Sequence, residues 1–214
     1  MTHYNDRLAD YVTRLFAPPD AALQRALTES PQRGLPAISI RPEEGKFLQF
    51  LVRACGAQKA VEIGTLGGYS GIWIARGLAP GGKLISLEKE PAHAAVAREH
   101  FDAAHLGDTV EIRIGDAHES LKRLGAEGPF DFVFIDAEKS GYLKYYDWAM
   151  NNVRVGGILA AHNAFRHGAV ADPNDHDPDT ETMRAFTGHA AADPRGLSTI
   201  YPAGDGMVVV VRVG

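Results

Sequence analysis

The sequence predicts an α/β fold, a doubly wound seven-stranded sheet closed by an antiparallel C-terminal hairpin and preceded by a helical extension. Three observations carry this reading. Short apolar strands alternate with helices between residues 59 and 161, the pattern of a parallel sheet covered on both faces. The segment Ala60-Val-Glu-Ile-Gly64-Thr-Leu-Gly67-Gly68-Tyr-Ser70-Gly71 reads as a buried strand that runs through a glycine turn straight into a helix. Near the C-terminus, strands over 197–201 and 207–213 are joined only by Pro202-Ala-Gly-Asp-Gly206, which is long enough for an antiparallel hairpin but not for a crossover.

The first forty residues precede the alternating pattern. Spacing of apolar residues predicts helices over 6–16 and 21–27, separated by Pro18-Pro19, and an extended stretch over 35–40. Pro42 opens the next helix where its missing N–H costs nothing, and Glu43 and Glu44 suit the dipole of its first turn. Phe47, Leu48, Leu51, Val52 and Cys55 form the buried face of that helix. Strands then follow over 59–63, 83–87, 110–114, 131–135 and 157–161, with helices over 70–78, 91–103, 119–124, 141–150 and 180–190. The chain of 214 residues has the length of one full core. One domain is therefore expected over 1–214, with 1–41 as its N-terminal extension. The acidic run 171–179 lacks the central glycine and spaced terminal glutamate of a calcium loop, and it reads as a solvated connection.

Composition narrows the function classes. Hydrophobic residues make up 45% and charged residues 23%, which is ordinary for a globular protein, and no apolar run has the length of a membrane span. A net charge of −5 gives no general attraction to nucleic acid or to acidic membranes. The lone Cys55 cannot form an intramolecular disulfide, and Met1-Thr-His-Tyr-Asn-Asp carries no basic-then-apolar leader. The expectation is a cytoplasmic protein.

Chemistry concentrates where strands end. Glycines between a strand and a helix let a ligand approach bare backbone and unpaired N–H groups. Glu62 precedes the first of them, at the strand end where open α/β sheets bind ligands. The spacing Gly64-x-x-Gly67-Gly68 is not G-x-G-x-x-G, which argues against a nicotinamide dinucleotide. Glu88 ends the second strand, 24 residues after Gly64, where a carboxylate accepts the two hydroxyls of a ribose. Asp116 and Ala117 follow the third strand, where they either flank a base or, for Asp116, simply cap a helix. The fourth strand delivers Asp136 and, a turn later, Lys139, which burial beside a cation would turn into a general base. The fifth ends in His162-Asn163, so Asp136, His162 and Asn163 form a candidate metal set.

These residues carry a family resemblance. From about Leu35 to the C-terminus the chain resembles the small cation-dependent class I O-methyltransferases, the catechol and caffeoyl-CoA O-methyltransferase-like group with its bacterial relatives. The resemblance rests on Pro42-Glu-Glu-Gly45-Lys-Phe-Leu48, Glu62-Ile-Gly-Thr-Leu-Gly-Gly-Tyr-Ser70, Asp136-Ala-Glu-Lys139-x-x-Tyr142, Val155-Gly-Gly157, Asn163, Gly168-x-Val170, Asp193-Pro-Arg195 and Gly204-Asp-Gly206, in that order. It implies a Rossmann-like fold and S-adenosylmethionine as methyl donor. It maps the backbone of Ile40, Gly64 and Thr65, with Glu62 and Ser70, onto the methionine end of that cofactor. Glu88 maps onto the ribose, Asp116 and Ala117 onto the adenine side, and Asp136 onto both cofactor and cation sites. It further implies a divalent cation that binds two vicinal hydroxyls of an aromatic substrate, Lys139 as the base, and a homodimer.

One position departs from the family. Its aspartate is His162 here, which removes a negative charge and shifts preference from Mg²⁺ or Mn²⁺ toward later transition metals. Three outcomes are open: a transition metal, weakly bound Mg²⁺, or no metal with His162 as general base. Retention of Asp136, Lys139 and Asn163 favours a metal. Phe165 stands where the family has a tryptophan, and Arg166 and His167 are candidate neighbours of a substrate carboxylate or phosphate. The leading expectation is a small-molecule O-methyltransferase. The alternatives are methylation of a hydroxylated uridine in tRNA, against which the net charge weighs, and a cofactor-binding protein with an impaired metal site.

Overall fold

The computed structural model describes residues 4–214, so the first three residues of the N-terminal segment lie outside the described residues. Seven strands form one sheet: β1 (Lys59–Ile63), β2 (Lys83–Glu88), β3 (Val110–Ile114), β4 (Phe130–Ile135), β5 (Val153–His162), β6 (Gly196–Tyr201) and β7 (Met207–Arg212). Their order is β3-β2-β1-β4-β5-β7-β6. The first five run parallel, and β7 is antiparallel to both β5 and β6. The expected Rossmann-like sheet and C-terminal hairpin are thus present, and the strand order reverses between β1 and β4, where folds of this kind open a ligand crevice.

Among the described residues eight α-helices accompany the sheet: α1 (Asp6–Phe16), α2 (Ala21–Gln32), α3 (Pro42–Ala54), α4 (Tyr69–Gly77), α5 (Pro91–Ala103), α6 (Ala117–Leu124), α7 (Tyr142–Asn152) and α8 (Pro178–Ala192). The period of two along each strand sorts its side chains between two cores. Ala60, Leu84, Phe132, Phe134 and Ala160 face α3, α4 and α5 through Leu48, Ile72 and Phe101. Val61, Ile63, Val133, Ile135 and Leu159 face α6, α7 and α8 through Leu121, Tyr146 and Phe186. Each fully buried side chain of this size contributes about 1.5–3 kcal/mol. Among the described residues no helix is long and apolar enough to cross a membrane.

Two boundaries differ most from the sequence reading. Helix α2 does not stop at 27 but continues to Gln32, because buried Ser30 is packed against the glycine turn at Gly67. Strand β5 begins at Val153 rather than 157, and Gly156 with φ 77 bends it there. The acidic run remains largely exposed, but it is held in place: Arg184 donates to the carbonyls of Ala169, Val170 and Asp175 at 2.9, 3.1 and 2.7 Å.

Candidate active site

Register brings the strand ends into line. Ile63 pairs with Leu87 on one side and Ile135 on the other, and Ile135 pairs with Ala161. The residues that follow, Gly64, Glu88, Asp136 and His162, therefore emerge side by side. The Gly64 N–H donates to Leu87 O at 3.0 Å and the Asp136 N–H to Ile63 O at 2.9 Å. Together with the 38–41 stretch and the β6–β7 turn they line a cleft of about 1300 Å³.

At one end the cleft wall is chiefly backbone. Gly64 has φ 96 and Gly68 φ 82, left-handed values that suit glycine, and a Cβ on Gly64 would collide with the Asp136 carbonyl oxygen. Glu88 Oε2 accepts from the N–H groups of Thr65 and Leu66 at 3.2 and 2.7 Å, and Oε1 from Glu90 N at 2.9 Å. The glycine turn is thus tied to β2. Ile40, Thr65, Ser70, Asp116 and Ala117 also line the cleft, with Asp116 capping α6 through Glu119 N at 3.0 Å.

Glu62 is the exception. It lies below the cleft wall, fully buried, because its parity in β1 turns it toward α4 rather than out of the strand end. There it accepts from the hydroxyls of Ser70 and Ser86, each at 2.5 Å. Burial pushes its carboxyl up to about 7, against those two hydrogen bonds. Ser70, whose hydroxyl it holds, is its link to the cleft.

At the other end the wall is side chains. Asp136 reaches Lys139 Nζ with Oδ1 at 3.6 Å and His162 Nδ1 with Oδ2 at 3.3 Å. Burial opposes its ionisation, yet His162 and Lys139 hold the carboxyl below the usual aspartate range. Lys139 Nζ donates to Ala137 O at 2.9 Å and to the Tyr142 hydroxyl at 3.0 Å. Burial lowers its pKa, with Asp136 opposing and Arg166 adding to the shift, as a lysine general base requires.

His162 is buried between two carboxylates. Its Nε2 meets Glu44 Oε1 at 2.8 Å, whereas its Nδ1, although close to Asp136, makes no aligned hydrogen bond. Burial alone would lower its pKa, but Asp136 and Glu44 override this and push it up to about 10. With Nε2 engaged by Glu44, Nδ1 is the ring nitrogen on the Asp136 side. Asn163, at φ 61, donates from Nδ2 to Asp205 Oδ2 at 3.0 Å, which turns the amide oxygen away from Asp205.

The donor chemistry fits a cation. Two donors at adjacent corners around an ion with bonds of about 2.1 Å stand about 3 Å apart, close to the observed separation of His162 Nδ1 and Asp136 Oδ2. Among the described residues no three His, Cys, Asp or Glu side chains form a ready metal cluster, so the Asn163 amide would have to complete the set. Glu44, Asp205 and Tyr145 also line the cleft and were not singled out by the sequence. Both Glu44 and Asp205 fall within motifs of the family resemblance, which assigns neither a site role. Arg166 lines the cleft with its guanidinium 3.6 Å from Asp179, and Phe165 packs where the Gly206 turn leaves no room for a Cβ.

Residues 19–213 match the O-methyltransferase family, and the chain belongs to it: it is an S-adenosylmethionine-dependent O-methyltransferase of the catechol and caffeoyl-CoA O-methyltransferase-like bacterial group. It is 43% identical over 192 residues to a catechol O-methyltransferase from Niastella koreensis, covering 89% of this chain and 87% of that one. It is 39% identical over 196 residues to a catechol O-methyltransferase from Mycobacterium tuberculosis, covering 90% and 89%. The O-methyltransferase from Bacillus cereus solved in complex with SAH superposes with a TM-score of 0.86 at 41% identity, over 96% of this chain and 97% of that one.

Proposed function

We propose that this O-methyltransferase methylates one of two vicinal hydroxyls on a catechol-like small molecule, with a divalent cation held by Asp136, His162 and Asn163. The observation that carries the reading is that Asp136 meets both Lys139 and His162 at adjacent strand ends, with Asn163 lining the same cleft. Similarity to two bacterial catechol O-methyltransferases supports the substrate class.

The roles follow from position. The backbone of Ile40, Gly64 and Thr65, with the Ser70 hydroxyl, takes the methionine end of the cofactor, and Glu62 fixes Ser70 from below. Glu88 takes the ribose, and Asp116 and Ala117 the adenine side. When bound, a cation supplies charge that draws both hydroxyls into place and lowers the pKa of the one to be methylated. Lys139 Nζ accepts the proton that this hydroxyl loses. The oxygen then forms its bond to the methyl carbon as the carbon–sulfur bond breaks, and holding both partners in line is the main service of the cleft. A homodimer in the cytoplasm is part of the same reading.

The test is release of S-adenosylhomocysteine by metal-stripped protein with 3,4-dihydroxybenzoate, 3-hydroxybenzoate and 4-hydroxybenzoate. Mg²⁺, Mn²⁺, Co²⁺, Ni²⁺ and Zn²⁺ are returned singly beside a chelator control. Turnover of the vicinal diol alone, and only with a metal, is expected. Equal turnover of the monohydroxylated acids overturns the substrate class, and activity that survives chelation overturns the cation.

A further inference from the structure

Two adjacent acids open α3, and both are buried: Glu43 is 2% exposed and Glu44 1%. Their partners divide them. Glu43 turns to the N-terminal extension, where it accepts from Thr13 Oγ1 at 3.1 Å and pairs with Arg41 Nε at 2.9 Å. Glu44 turns to the cleft. Its Oε2 accepts from Arg41 N at 2.9 Å and its Oε1 meets His162 Nε2 at 2.8 Å, across 118 residues of chain. The β6–β7 turn seals the other side, for a Cβ on Gly204 would overlap the Glu44 carboxylate. Both carboxylate oxygens are therefore committed, and the group has no room to swing away.

We propose that Glu44 is a positioning residue for the cation site: by accepting the Nε2–H of His162 it fixes the ring so that Nδ1 is the nitrogen presented beside Asp136. The inference rests on the cation reading above. Three observations agree with it. The Nε2 bond is short and buried at both partners. The other nitrogen, Nδ1, is buried with no aligned hydrogen-bond partner. That unpartnered nitrogen lies 3.3 Å from Asp136 Oδ2, the spacing of two donors that share an ion. An imidazole that ligates a metal through one nitrogen characteristically donates its other N–H to a carboxylate, which sets the tautomer and strengthens the donor. The amide counterpart on the far side is Asn163, oriented by Asp205 through a 3.0 Å bond. Glu44 and Asp205 would thus orient two of the three cation ligands.

The test compares the full-length wild type with Glu44→Gln, which keeps the volume and removes the charge. Co²⁺ affinity is read by competition with a chromophoric chelator, the Co²⁺ visible spectrum is recorded, and S-adenosylhomocysteine affinity is measured as a control. The expected result is a fall of about 10- to 100-fold in Co²⁺ affinity and an altered visible spectrum, with S-adenosylhomocysteine affinity preserved. Unchanged Co²⁺ affinity and spectrum in Glu44→Gln, with Co²⁺ binding intact in the wild type, overturns the role of Glu44 while leaving the cation reading in place. A wild type that takes up no Co²⁺ overturns the cation reading and this inference with it. Should Glu44→Gln fail to fold, the ¹⁵N spectrum of His162 in Zn²⁺-loaded wild type decides. A proton on Nε2 with the metal on Nδ1 is expected, and the reverse overturns the inference.

Discussion

Where β1, β2 and β3 end, the cleft is walled by glycine turns and main-chain N–H groups, and the ties that hold it are short-range: Thr65 and Leu66 reach Glu88 across 23 and 22 residues. Where β4 and β5 end, the wall is charged side chains whose partners come from far away, Glu44 to His162 across 118 residues and Asp205 to Asn163 across 42. The first region owes its shape to backbone geometry that a few glycines impose. The second owes its shape to a balance of charges, in which Asp136 meets Lys139 and His162, and His162 meets Glu44. A backbone-walled pocket suits a cofactor that never changes. A side-chain pocket can be altered by one substitution, and His162 in place of the family aspartate is such a change.

The same difference decides what removing a residue does. Lys139→Met deletes the base from the side-chain region, and kcat should fall by about 10²- to 10⁴-fold while S-adenosylhomocysteine affinity stays put; a loss of cofactor affinity by isothermal titration would break the separation of the two regions. Gly64→Ala strikes the backbone region. The left-handed φ and the collision with the Asp136 carbonyl should cost about 3 kcal/mol or more of stability, and cofactor affinity should weaken with it. A urea midpoint equal to that of the wild type would contradict the turn geometry.

A subtler effect comes from Glu62, beneath the backbone region. In the cofactor-free fold its carboxyl keeps the proton up to about pH 7, whereas in the unfolded chain it ionises at the ordinary glutamate value. Between those values the folded state binds more proton, so the Glu62 contribution is fully present below the unfolded pKa. It declines as pH rises through about 7, by about 3 kcal/mol in all. Urea unfolding across pH 4.5 to 8 should show this decline, and Glu62→Gln should flatten it. An unchanged slope in the variant would place the titration elsewhere.

The sheet was legible because fully apolar strands and the glycine turn are local patterns. Asp136, Lys139, His162 and Asn163 were legible for a related reason, since residues at and just after a strand's end lie at the sheet edge whatever packs around them. The depth of Glu62 was not. In a strand buried on both faces, no polar alternation marks which side chains point toward a helix. Nor was the role of Glu44, because a first-turn acid that favours the helix dipole looks the same in sequence as one aimed at a histidine on β5. The end of α2 was hidden for a third reason: the contact of Ser30 with the glycine turn at Gly67 exists only in the folded chain.

The most direct test of the division between the two regions is a chelator titration followed by two readings on the same sample, S-adenosylhomocysteine affinity by calorimetry and turnover of 3,4-dihydroxybenzoate. Affinity that holds steady while turnover vanishes, and returns with added metal, is the predicted result. Turnover that persists after the last metal is removed, or cofactor affinity that collapses along with it, would contradict it.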